Sequence, residues 1–383
     1  MQHAEEYLLL GLRLGKHVDG LVDAYYAPQD LKDAVDEEPA VHASELASDG
    51  ARLRDSLEDG WLRDQVAACA VYARVLAGEE ISYSDEVEGC YGVRPERTPE
   101  RVYEEAHAEL DELLPGEGSL DERREAWRQR YRCPGDQAIG AFGELLPLMR
   151  GRTEGLFGLP EGERVTLEAV TGEPWWAFNY YRGGLHSHVV VNTDVPTSGL
   201  DLLHLVAHEV YPGHHTEHAA KEQLLMRDGG LIEEGIQLVP TPQALLSEGI
   251  AESGSDLVLD DATREAAFEI LLRNGLEVPD RELAERIAKA GELLGTVSLN
   301  AALMIHEDGA TADEAAEYVA KWSLRPLEEA KRSVAFVTDP TWRAYTITYS
   351  AGEELCKRYV GGDPARFRTL LTEHVRVGEL LSA

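Results

Sequence analysis

The sequence predicts a mainly α-helical fold with a small antiparallel β-sheet beside one histidine-rich helix. Apolar residues recur at helical spacing along most of the 383-residue chain. Two short segments rich in β-branched residues interrupt that pattern between residues 164 and 194, and turn residues bound each of them. Helical patterns return directly after the second segment, so the sheet is expected just ahead of the histidine-rich helix.

The N-terminal region, residues 1–115, has a helical pattern throughout. Leu8 and Leu12, for example, lie one helical turn apart near its start. In the segment RTPERVYEEAHAELDELL, Thr98 suits an N-cap and Pro99 suits the first helical position. The region therefore predicts several helices.

A cluster of turn-forming residues, LPGEGS at 114–119, is the best candidate linker. We therefore divide the chain into an N-terminal helical subdomain, residues 1–115, and a second region, residues 116–383. The alternative is one continuous domain, because a chain of 383 residues suits either organisation.

The second region combines the predicted sheet with most of the predicted helices. The segments RVTLEAVT (164–171) and GLHSHVVVNTD (184–194) are predicted as strands of an antiparallel sheet. The strongest helical patterns after them cover residues 197–211, 241–260, 279–307, 312–322, 326–336 and 340–360.

The charge balance excludes some classes of partner. Asp and Glu number 71 against 36 Lys and Arg, so the formal net charge is −35. This acidic protein would repel nucleic acid and anionic membrane surfaces. No apolar run reaches the roughly 20 residues that a membrane-spanning helix needs. We therefore expect neither nucleic acid nor a membrane as a partner, while the oligomeric state has no signature in the sequence.

The cysteines and the first residues favour a cytoplasmic location. The four cysteines are scattered and form no CxxC pair, so buried, reduced thiols are expected. The start, MQHAEEYLLLGLRLG, is acidic before a short apolar segment and lacks a small-residue cleavage site. That pattern is typical of a helix and not of a secretory signal.

A dense group of histidines suggests a metal site. Seven of the 13 histidines lie between His186 and His218. Imidazole is the commonest metal ligand in proteins. Among these seven, His186, His188 and His204 also suit ordinary polar positions, so the argument depends on the remaining histidines.

The segment LLHLVAHEVYPGHHTEH begins like the helix of a zinc protease and then departs from it. In the common pattern, histidines at i and i+4 bind zinc, and a glutamate after the first histidine holds the attacking water. Here His208-Glu209 supplies the first half, but Pro212 occupies the second position. Proline breaks a helix, and such a break can bring His214 toward the metal. We favour His214 because it needs the smaller insertion; His215 is the alternative, as a ligand or as a support for one.

A third ligand is expected from the segment LLSEGIAESGSD. The setting of Glu248, Glu-Gly-x-Ala with a second acid four residues later, resembles the third-ligand helix of glutamate-type zinc peptidases, which implies that Glu248 binds the metal. Glu252, one turn later on the same helical face, would orient a ligand histidine or serve as the alternative ligand.

Two alternatives stay open at this point. The segment HHTEH matches the inverted zinc motif HxxEH, with Glu217 as the base and no helix distortion. That register leaves His208 and Glu209 without a role. In the other alternative, no metal binds and the histidines are structural.

The segments NTD…LVAHEVYPGHH and SEGIAE resemble a bacterial family of uncharacterised proteins with an HE-x-x-P-G-H-H signature. That family is similar to the carboxypeptidase Taq group of zinc peptidases, which are nearly all helical with a central groove. The resemblance also includes LGLRLGKHVDGLVDAYYAP near the start and PTWRAYTITYSAGEEL near the end. It implies a metal ion at His208, at His214 or His215, and at Glu248.

The resemblance also implies roles for other residues. Glu209 would be the general base, and Tyr349 and Gly352 would lie near the groove. After the Glu-Gly-x-Ala segment, relatives often carry an aromatic residue and a glutamate. This chain departs from that pattern and has SGSD at residues 253–256.

The resulting hypothesis is a zinc-dependent metallopeptidase with one zinc ion per chain, acting on a peptide or a small amide. Glu209 would move the proton of the attacking water. Tyr349, or Tyr345, would stabilise the oxyanion. Arg343 would bind a substrate carboxylate, which would make the enzyme carboxypeptidase-like, or it would be an ordinary solvated or salt-bridged arginine.

Substrate binding would also involve the predicted sheet. The strand HSHVVVN would offer an edge to an extended peptide, and Asn192 at its end would bind substrate or fix the turn. The aromatic run WWAFNYY (175–181) would line the groove or pack in the core. The competing functions are a catalytically silent helical binding protein and a zinc hydrolase of non-peptide amides or esters.

Overall fold

The N-terminal part of the chain consists of helices joined by short turns. The computed structural model of the protein describes residues 2–173, 176–195 and 197–383. Its first elements are α1 (Gln2–Gly15), β1 (Val22–Tyr25), α2 (Gln29–Glu37), α3 (Ala43–Ser56), α4 (Trp61–Leu76), α5 (Tyr83–Tyr91) and α6 (Glu100–Leu113).

The start of α6 differs from the prediction. The N-cap is Pro99 and not Thr98. The backbone of Thr98 is held from outside the helix, because its N–H donates to Oδ1 of Asn300 at 3.0 Å and its carbonyl accepts from Nδ2 of Asn300 at 2.8 Å. A contact more than 200 residues away along the chain therefore decides this boundary.

The middle of the chain contains most of the β structure. Its elements are α7 (Leu120–Arg130), β2 (Arg132–Cys133), α8 (Gly135–Phe157), β3 (Arg164–Val170), β4 (Ala177–Tyr181), β5 (His186–Asn192), β6 (Thr197–Ser198) and α9 (Gly199–Glu209). In α9 a capping box supports the N-terminus, since the hydroxyl of Ser198 accepts from the backbone of Asp201 and the Asp201 carboxylate accepts from the backbone of Ser198.

The C-terminal part is again helical. Its elements are α10 (His214–Lys221), a π-helical segment (Glu222–Asp228), a short 3₁₀ helix (Ile232–Gly235), β7 (Ile236–Leu238), α11 (Pro242–Ser253), α12 (Ser255–Val258), α13 (Asp261–Arg273), α14 (Arg281–Glu292), α15 (Val297–His306), α16 (Ala312–Ser323), α17 (Leu327–Thr338), a second π-helical segment (Thr348–Gly352), α18 (Glu353–Val360), α19 (Pro364–Thr372) and α20 (Val377–Ser382). The mainly α class with a small β component is thus confirmed.

The three-stranded sheet differs from the predicted antiparallel one. Its order is β3-β5-β4, with β5 parallel to β3 and antiparallel to β4. The strand β5 therefore has a partner on each side, and the prediction that it offers an edge to a peptide was wrong. The physical reason lies in its apolar run Val189–Val191, which is buried and is typical of a central strand.

The main hydrophobic core draws side chains from nearly the whole chain. Tyr7 of α1, Met149 of α8, Leu245 of α11 and Leu380 of α20 belong to one buried cluster. A second cluster joins α6 to the helices between residues 290 and 334 and contains Tyr103 and Trp322.

None of the described helices is both long and apolar enough to cross a membrane.

Candidate metal centre

The regular helical hydrogen bonding is interrupted between α9 and α10. Helix α9 ends at Glu209, Pro212 follows a cis peptide bond, and α10 begins at His214. A Cβ atom on Gly213 would lie 1.8 Å from the carbonyl oxygen of His208, so only glycine fits there. The residue before α10 therefore lies against the last turn of α9, where the N–H of Gly213 donates to the carbonyl of Ala207 at 2.9 Å.

This interruption brings His208 and His214 together with Glu248 of α11. One possible ligand atom from each residue lies within 4.8 Å of the other two. Nε2 of His208 lies 3.6 Å from Oε2 of Glu248, and Nε2 of His214 lies 3.7 Å from Oε1 of the same carboxylate. These separations are too long for hydrogen bonds. They are close to the roughly 3.4 Å between ligand atoms around a tetrahedral zinc with bonds of about 2.0–2.1 Å.

The Glu248 carboxylate carries the clearest sign of a missing partner. Its residue is only 6% exposed, and its Oε2 atom is buried without a hydrogen bond. Burial raises the pKa of Glu248, with the Glu252 and Glu217 carboxylates adding to the effect against the charge of His208. A cation bound between these residues would satisfy the free oxygen, so the donor set fits a divalent metal ion.

The two histidines differ in their electrostatics. Burial and the neighbouring His208 lower the pKa of His214 to about 3, so its ring is neutral and able to act as a ligand. Burial also opposes a charge on His208, but the Glu252 and Glu248 carboxylates outweigh it and raise the pKa of His208 to about 10. Without a metal ion, a proton on His208 therefore supplies the positive charge that these carboxylates attract.

Glu252 supports His208 from the side opposite Glu248. Its Oε1 atom lies 3.0 Å from Nδ1 of His208 and 3.6 Å from Nε2 of His204. The contact with His208 has ion-pair distance, although Nδ1 is not aligned for a regular hydrogen bond. His204, His208 and Glu252 form a second group with metal-compatible spacing. We favour the group with Glu248 because its carboxylate is more deeply buried and has the free oxygen.

His214 is held by a buried hydrogen-bonded chain. Its Nδ1 atom lies 3.2 Å from the hydroxyl of Ser247, which donates to Oε2 of Glu217 at 2.6 Å. The ammonium group of Lys221 donates to the other oxygen of Glu217 at 2.6 Å. Although burial opposes its charge, Lys221 and His218 keep the pKa of Glu217 below its ordinary value.

This hydrogen-bonded chain includes Glu217, the residue that the inverted motif HxxEH would use as its base. Glu217 is engaged by Lys221 and Ser247, and it is only 1% exposed. His218 belongs to neither metal-compatible group within the described parts of the chain. Glu217 therefore has the environment of a buried structural carboxylate and not that of a base that reaches a substrate.

Glu209 lies at the end of α9, next to the candidate ligands. It is buried, and burial together with the Glu248 and Asp23 carboxylates raises its pKa to about 7, against the charges of His208 and His204. Its backbone carbonyl accepts a hydrogen bond of 2.6 Å from Nδ2 of Asn179 in β4. This contact attaches the sheet to the last turn of α9.

Two tyrosines border the group. The hydroxyl of Tyr345 donates to Oε1 of Glu248 at 2.6 Å. Tyr349 packs edge-to-face on Tyr345, with 5.5 Å between the ring centroids, and is 46% exposed. Helix α11 approaches the segment that carries Tyr349 so closely that a Cβ on Gly249 would lie 2.2 Å from the carbonyl oxygen of Gly352.

Three residues named from the sequence lie in other environments. His215 is fully buried, with Nε2 2.6 Å from Glu163 and Nδ1 2.8 Å from the hydroxyl of Ser187. Both of its ring nitrogens are therefore engaged away from His208 and Glu248.

Arg343 and Asn192 are also committed to structural contacts. The Arg343 guanidinium forms a two-point ion pair with the buried Glu86. The side chain of Asn192 donates to the carbonyl of Glu173 at 2.7 Å and accepts from the backbone of Asp194 at 3.1 Å, which fixes the turn after β5.

Part of the predicted aromatic run forms β4, where Ala177–Tyr181 pairs with β5. Trp175 lies outside the described residues.

Sequence reasoning did not identify Ser247, Lys221 or Asp23 as parts of this region. Ser247 directly precedes Glu248, but a serine beside a glutamate has no metal-site signature. Lys221 and Glu217 are four residues apart, which is also an ordinary helical pair. Their role depends on the contact of α10 with α11, which no local pattern encodes.

Comparison with known proteins finds a similar fold but no matching family. No family model matches the chain, and no curated protein matches it. Among solved structures, a putative lipoprotein from Colwellia psychrerythraea is similar with a TM-score of 0.52 and 12% sequence identity. The alignment covers 92% of this chain and 68% of that chain. At this identity the likeness concerns the fold alone.

Proposed function

We propose that the protein is a zinc-dependent metallopeptidase that binds one metal ion through His208, His214 and Glu248. One observation carries the proposal: the buried carboxylate of Glu248 and two half-buried imidazoles, from three helices, converge with metal-compatible spacing, and the free Oε2 atom of Glu248 lies among them. Glu209 follows His208 directly, which is the relation of base to ligand in zinc proteases.

The remaining roles follow from the residues around the donors. A zinc ion held by His208, His214 and Glu248 would lower the pKa of water to about 7 and would polarise a carbonyl group. Glu209 accepts the proton of the attacking water and delivers it to the leaving amine. The accessible Tyr349 offers its hydroxyl to the developing oxyanion.

The proposal does not extend to a carboxypeptidase. That expectation needed Arg343 to bind a substrate carboxylate, and Arg343 is paired with the buried Glu86. Moving Arg343 to a substrate would leave the Glu86 carboxylate unpaired in the interior, which costs several kcal/mol.

The first experiment measures metal content and peptidase activity together. We expect about one zinc per chain in the wild-type protein and loss of zinc in the variants His208→Ala and Glu248→Gln. Lys331→Ala, in an exposed ion pair with Glu328, is the control and retains zinc. A wild-type protein that binds no zinc after zinc addition contradicts the proposal. A zinc-loaded protein that hydrolyses small amides or esters but no peptide contradicts its peptidase part.

The same proposal includes a cytoplasmic location. It is supported by the four cysteines, all of which are buried free thiols, the state that a reducing compartment maintains. Fractionation of cells that produce the protein at native level tests it, and recovery of the protein outside the cytoplasmic fraction contradicts it.

A further inference from the structure

Helix α9 carries a pair of histidines at the usual spacing of two metal ligands. His204 and His208 are four residues apart, so both imidazoles lie on one face of α9, with 5.8 Å between the ring centroids. Two histidines with this spacing on one helix are the common zinc-binding pair. Pro212 does not interrupt this pair, because α9 ends before it. The candidate metal centre uses only the second of these two rings.

Helix α11 presents two carboxylates to this face of α9. Glu248 and Glu252 are also four residues apart, and the ring of His208 lies between them. Nε2 of His208 lies 3.6 Å from Glu248, and Nδ1 lies 3.0 Å from Oε1 of Glu252. His208 therefore belongs to two metal-compatible groups. The inner group adds His214 and Glu248, and the outer group adds His204 and Glu252.

The donor atoms of the outer group fit a divalent cation. Oε1 of Glu252 lies 3.0 Å from Nδ1 of His208 and 3.6 Å from Nε2 of His204. These separations lie on either side of the roughly 3.4 Å between ligand atoms around a tetrahedral zinc. Nδ1 of His208 is buried and forms no hydrogen bond within the described parts of the chain. Since a buried polar atom without a partner is costly, a cation between the three side chains would stabilise it.

The outer group is the more accessible of the two. The side chain of His204 is 48% exposed, and that of Glu252 is 21% exposed. In the inner group, the side chain of Glu248 is 8% exposed and that of His214 is 13% exposed. An ion that arrives from solvent therefore meets the outer ligands first. The outer group should also hold the ion more weakly, because water screens the attraction between charges at an exposed position.

The shared ring can serve only one group at a time. In a neutral imidazole one nitrogen carries the proton and the other offers a lone pair. An ion in the outer group takes the lone pair of Nδ1 of His208, so the proton is on Nε2. An ion in the inner group requires the reverse arrangement. Movement of the ion between the groups therefore exchanges the two tautomers of His208 and releases no net proton.

We propose that the outer group is the entry site of the metal ion. It captures a divalent cation such as zinc from solvent and passes it to the inner group through the shared ring of His208. This inference goes beyond the proposed function but rests on it, because the inner group is the centre assigned there. His204 is thus a metal-binding residue of the uptake route and takes no part in the hydrolytic reaction.

Zinc binding at equilibrium tests the outer group by itself. Combining His214→Ala with Glu248→Gln removes two inner ligands and leaves the outer group whole. We expect this double variant to bind about one zinc per chain when zinc is added, but about 100-fold more weakly than wild type, so that zinc is lost during purification. Adding His204→Ala should weaken this binding about tenfold further. Competition with a chromophoric chelator of known affinity measures each dissociation constant.

The rate of zinc uptake tests the route. Metal-free protein is mixed with zinc in a stopped-flow instrument, and a zinc-responsive dye reports association and dissociation. We expect His204→Ala, in otherwise wild-type protein, to lower both rate constants about tenfold, because the intermediate position is weakened. The dissociation constant should stay unchanged, since the inner ligands are intact. A residue that only supports the inner ligands would change the dissociation constant instead.

A matched variant controls for the loss of an imidazole. His186→Ala removes a histidine of β5 that contacts Thr166 and belongs to neither metal-compatible group. Both rate constants should equal those of wild type. An association rate in His204→Ala equal to that of wild type overturns the inference, and so does a double variant that binds no added zinc.

A failure of this inference differs from a failure of the proposed function. A wild-type protein that binds zinc and hydrolyses peptides, with uptake independent of His204, remains a metallopeptidase and loses only the entry site. A double variant that binds zinc as tightly as wild type overturns the entry role and the inner ligand set together, because the ion would then reside in the outer group. A wild-type protein that binds no zinc also overturns both proposals.

Discussion

The hydroxyl oxygen of Ser247 lies 3.2 Å from Nδ1 of His214, and its proton is directed elsewhere. Ser247 donates that proton to Oε2 of Glu217, because an ionised carboxylate can only accept. The Ser247 oxygen must therefore accept a hydrogen bond from Nδ1 of His214. This arrangement fixes the tautomer of the neutral His214 ring and leaves the lone pair of Nε2 directed toward Glu248.

Replacing Ser247 by alanine tests this arrangement. We expect Ser247→Ala to weaken zinc binding by about 10–100-fold, which is the usual effect of removing a partner that orients a ligand histidine. Competition with a chelator of known affinity measures the change. Ser253→Ala is the matched control, because Ser253 lies in the same helix and binds only a backbone carbonyl. Equal zinc affinity in the two variants would show that His214 needs no such support.

Glu209 should contribute to turnover and not to metal binding. We expect Glu209→Gln to keep about one zinc per chain and to reduce kcat by about 10²–10⁴, the usual contribution of a positioned general base. Steady-state kinetics on a peptide substrate and elemental analysis measure the two properties. Full activity in this variant would assign the proton transfer to another group.

Glu163 should stabilise the fold in a pH-dependent manner. It is buried and interacts with His215, Tyr211 and Arg150. These partners outweigh the effect of burial and lower the pKa of Glu163 to about 2. Because the folded-state pKa lies below the unfolded one, this stability is present above about pH 4.5 and is lost as the pH falls toward 2.

Denaturant unfolding of Glu163→Gln measures that contribution. At pH 7 we expect the free energy of unfolding to fall by about 3 kcal/mol, since a buried ion pair loses one member. The difference from wild type should shrink as the pH falls from 4.5 toward 2. Glu168→Gln removes an accessible partner of His188 and should cost less than about 1 kcal/mol. A loss in Glu163→Gln that is independent of pH would contradict the ionic explanation.

Gly249 should not tolerate a side chain. A Cβ there would lie 2.2 Å from the carbonyl oxygen of Gly352, so we expect Gly249→Ala to lower the free energy of unfolding by about 3 kcal/mol. Gly143→Ala is the control, because Gly143 lies within α8 and faces open space. That variant should gain about 0.5–1 kcal/mol from better helix propensity. Thermal melts of the two variants compare the effects.

Local sequence patterns predicted many of the helices but fewer of the points where a helix is interrupted or begins. The helix expected over residues 279–307 is two helices, because the chain forms a turn over residues 293–296 that contains Gly295. The helix expected over residues 340–360 begins later than residue 340. The reason is a turn in which the Asp339 side chain accepts a hydrogen bond from the backbone N–H of Thr341.

The order of the strands could not be predicted from the sequence. Strand β4 follows β3 along the chain but lies on the far side of β5. Period-2 patterns identify a strand and do not identify its neighbours. The segment of β4 also contains so many aromatic residues that it suggested a groove and not a strand.

The candidate site was partly predictable for the same reason. Pro212 and Gly213 predict a helix break, and the smaller insertion favours His214 over His215. The partners of these two histidines are distant in sequence: Ser247 binds one, and Glu163 binds the other. Such contacts depend on how the helices pack, which is tertiary information.

The break between α9 and α10 has a thermodynamic consequence. His208 and His214 belong to two helices, and Glu248 lies on a third, so no single segment of the chain can assemble the centre. An ion held by all three would act as a crosslink that exists only in the native state. The Tm of the protein should therefore rise with the concentration of free zinc, and a series of melts would report the affinity of the site without any substrate.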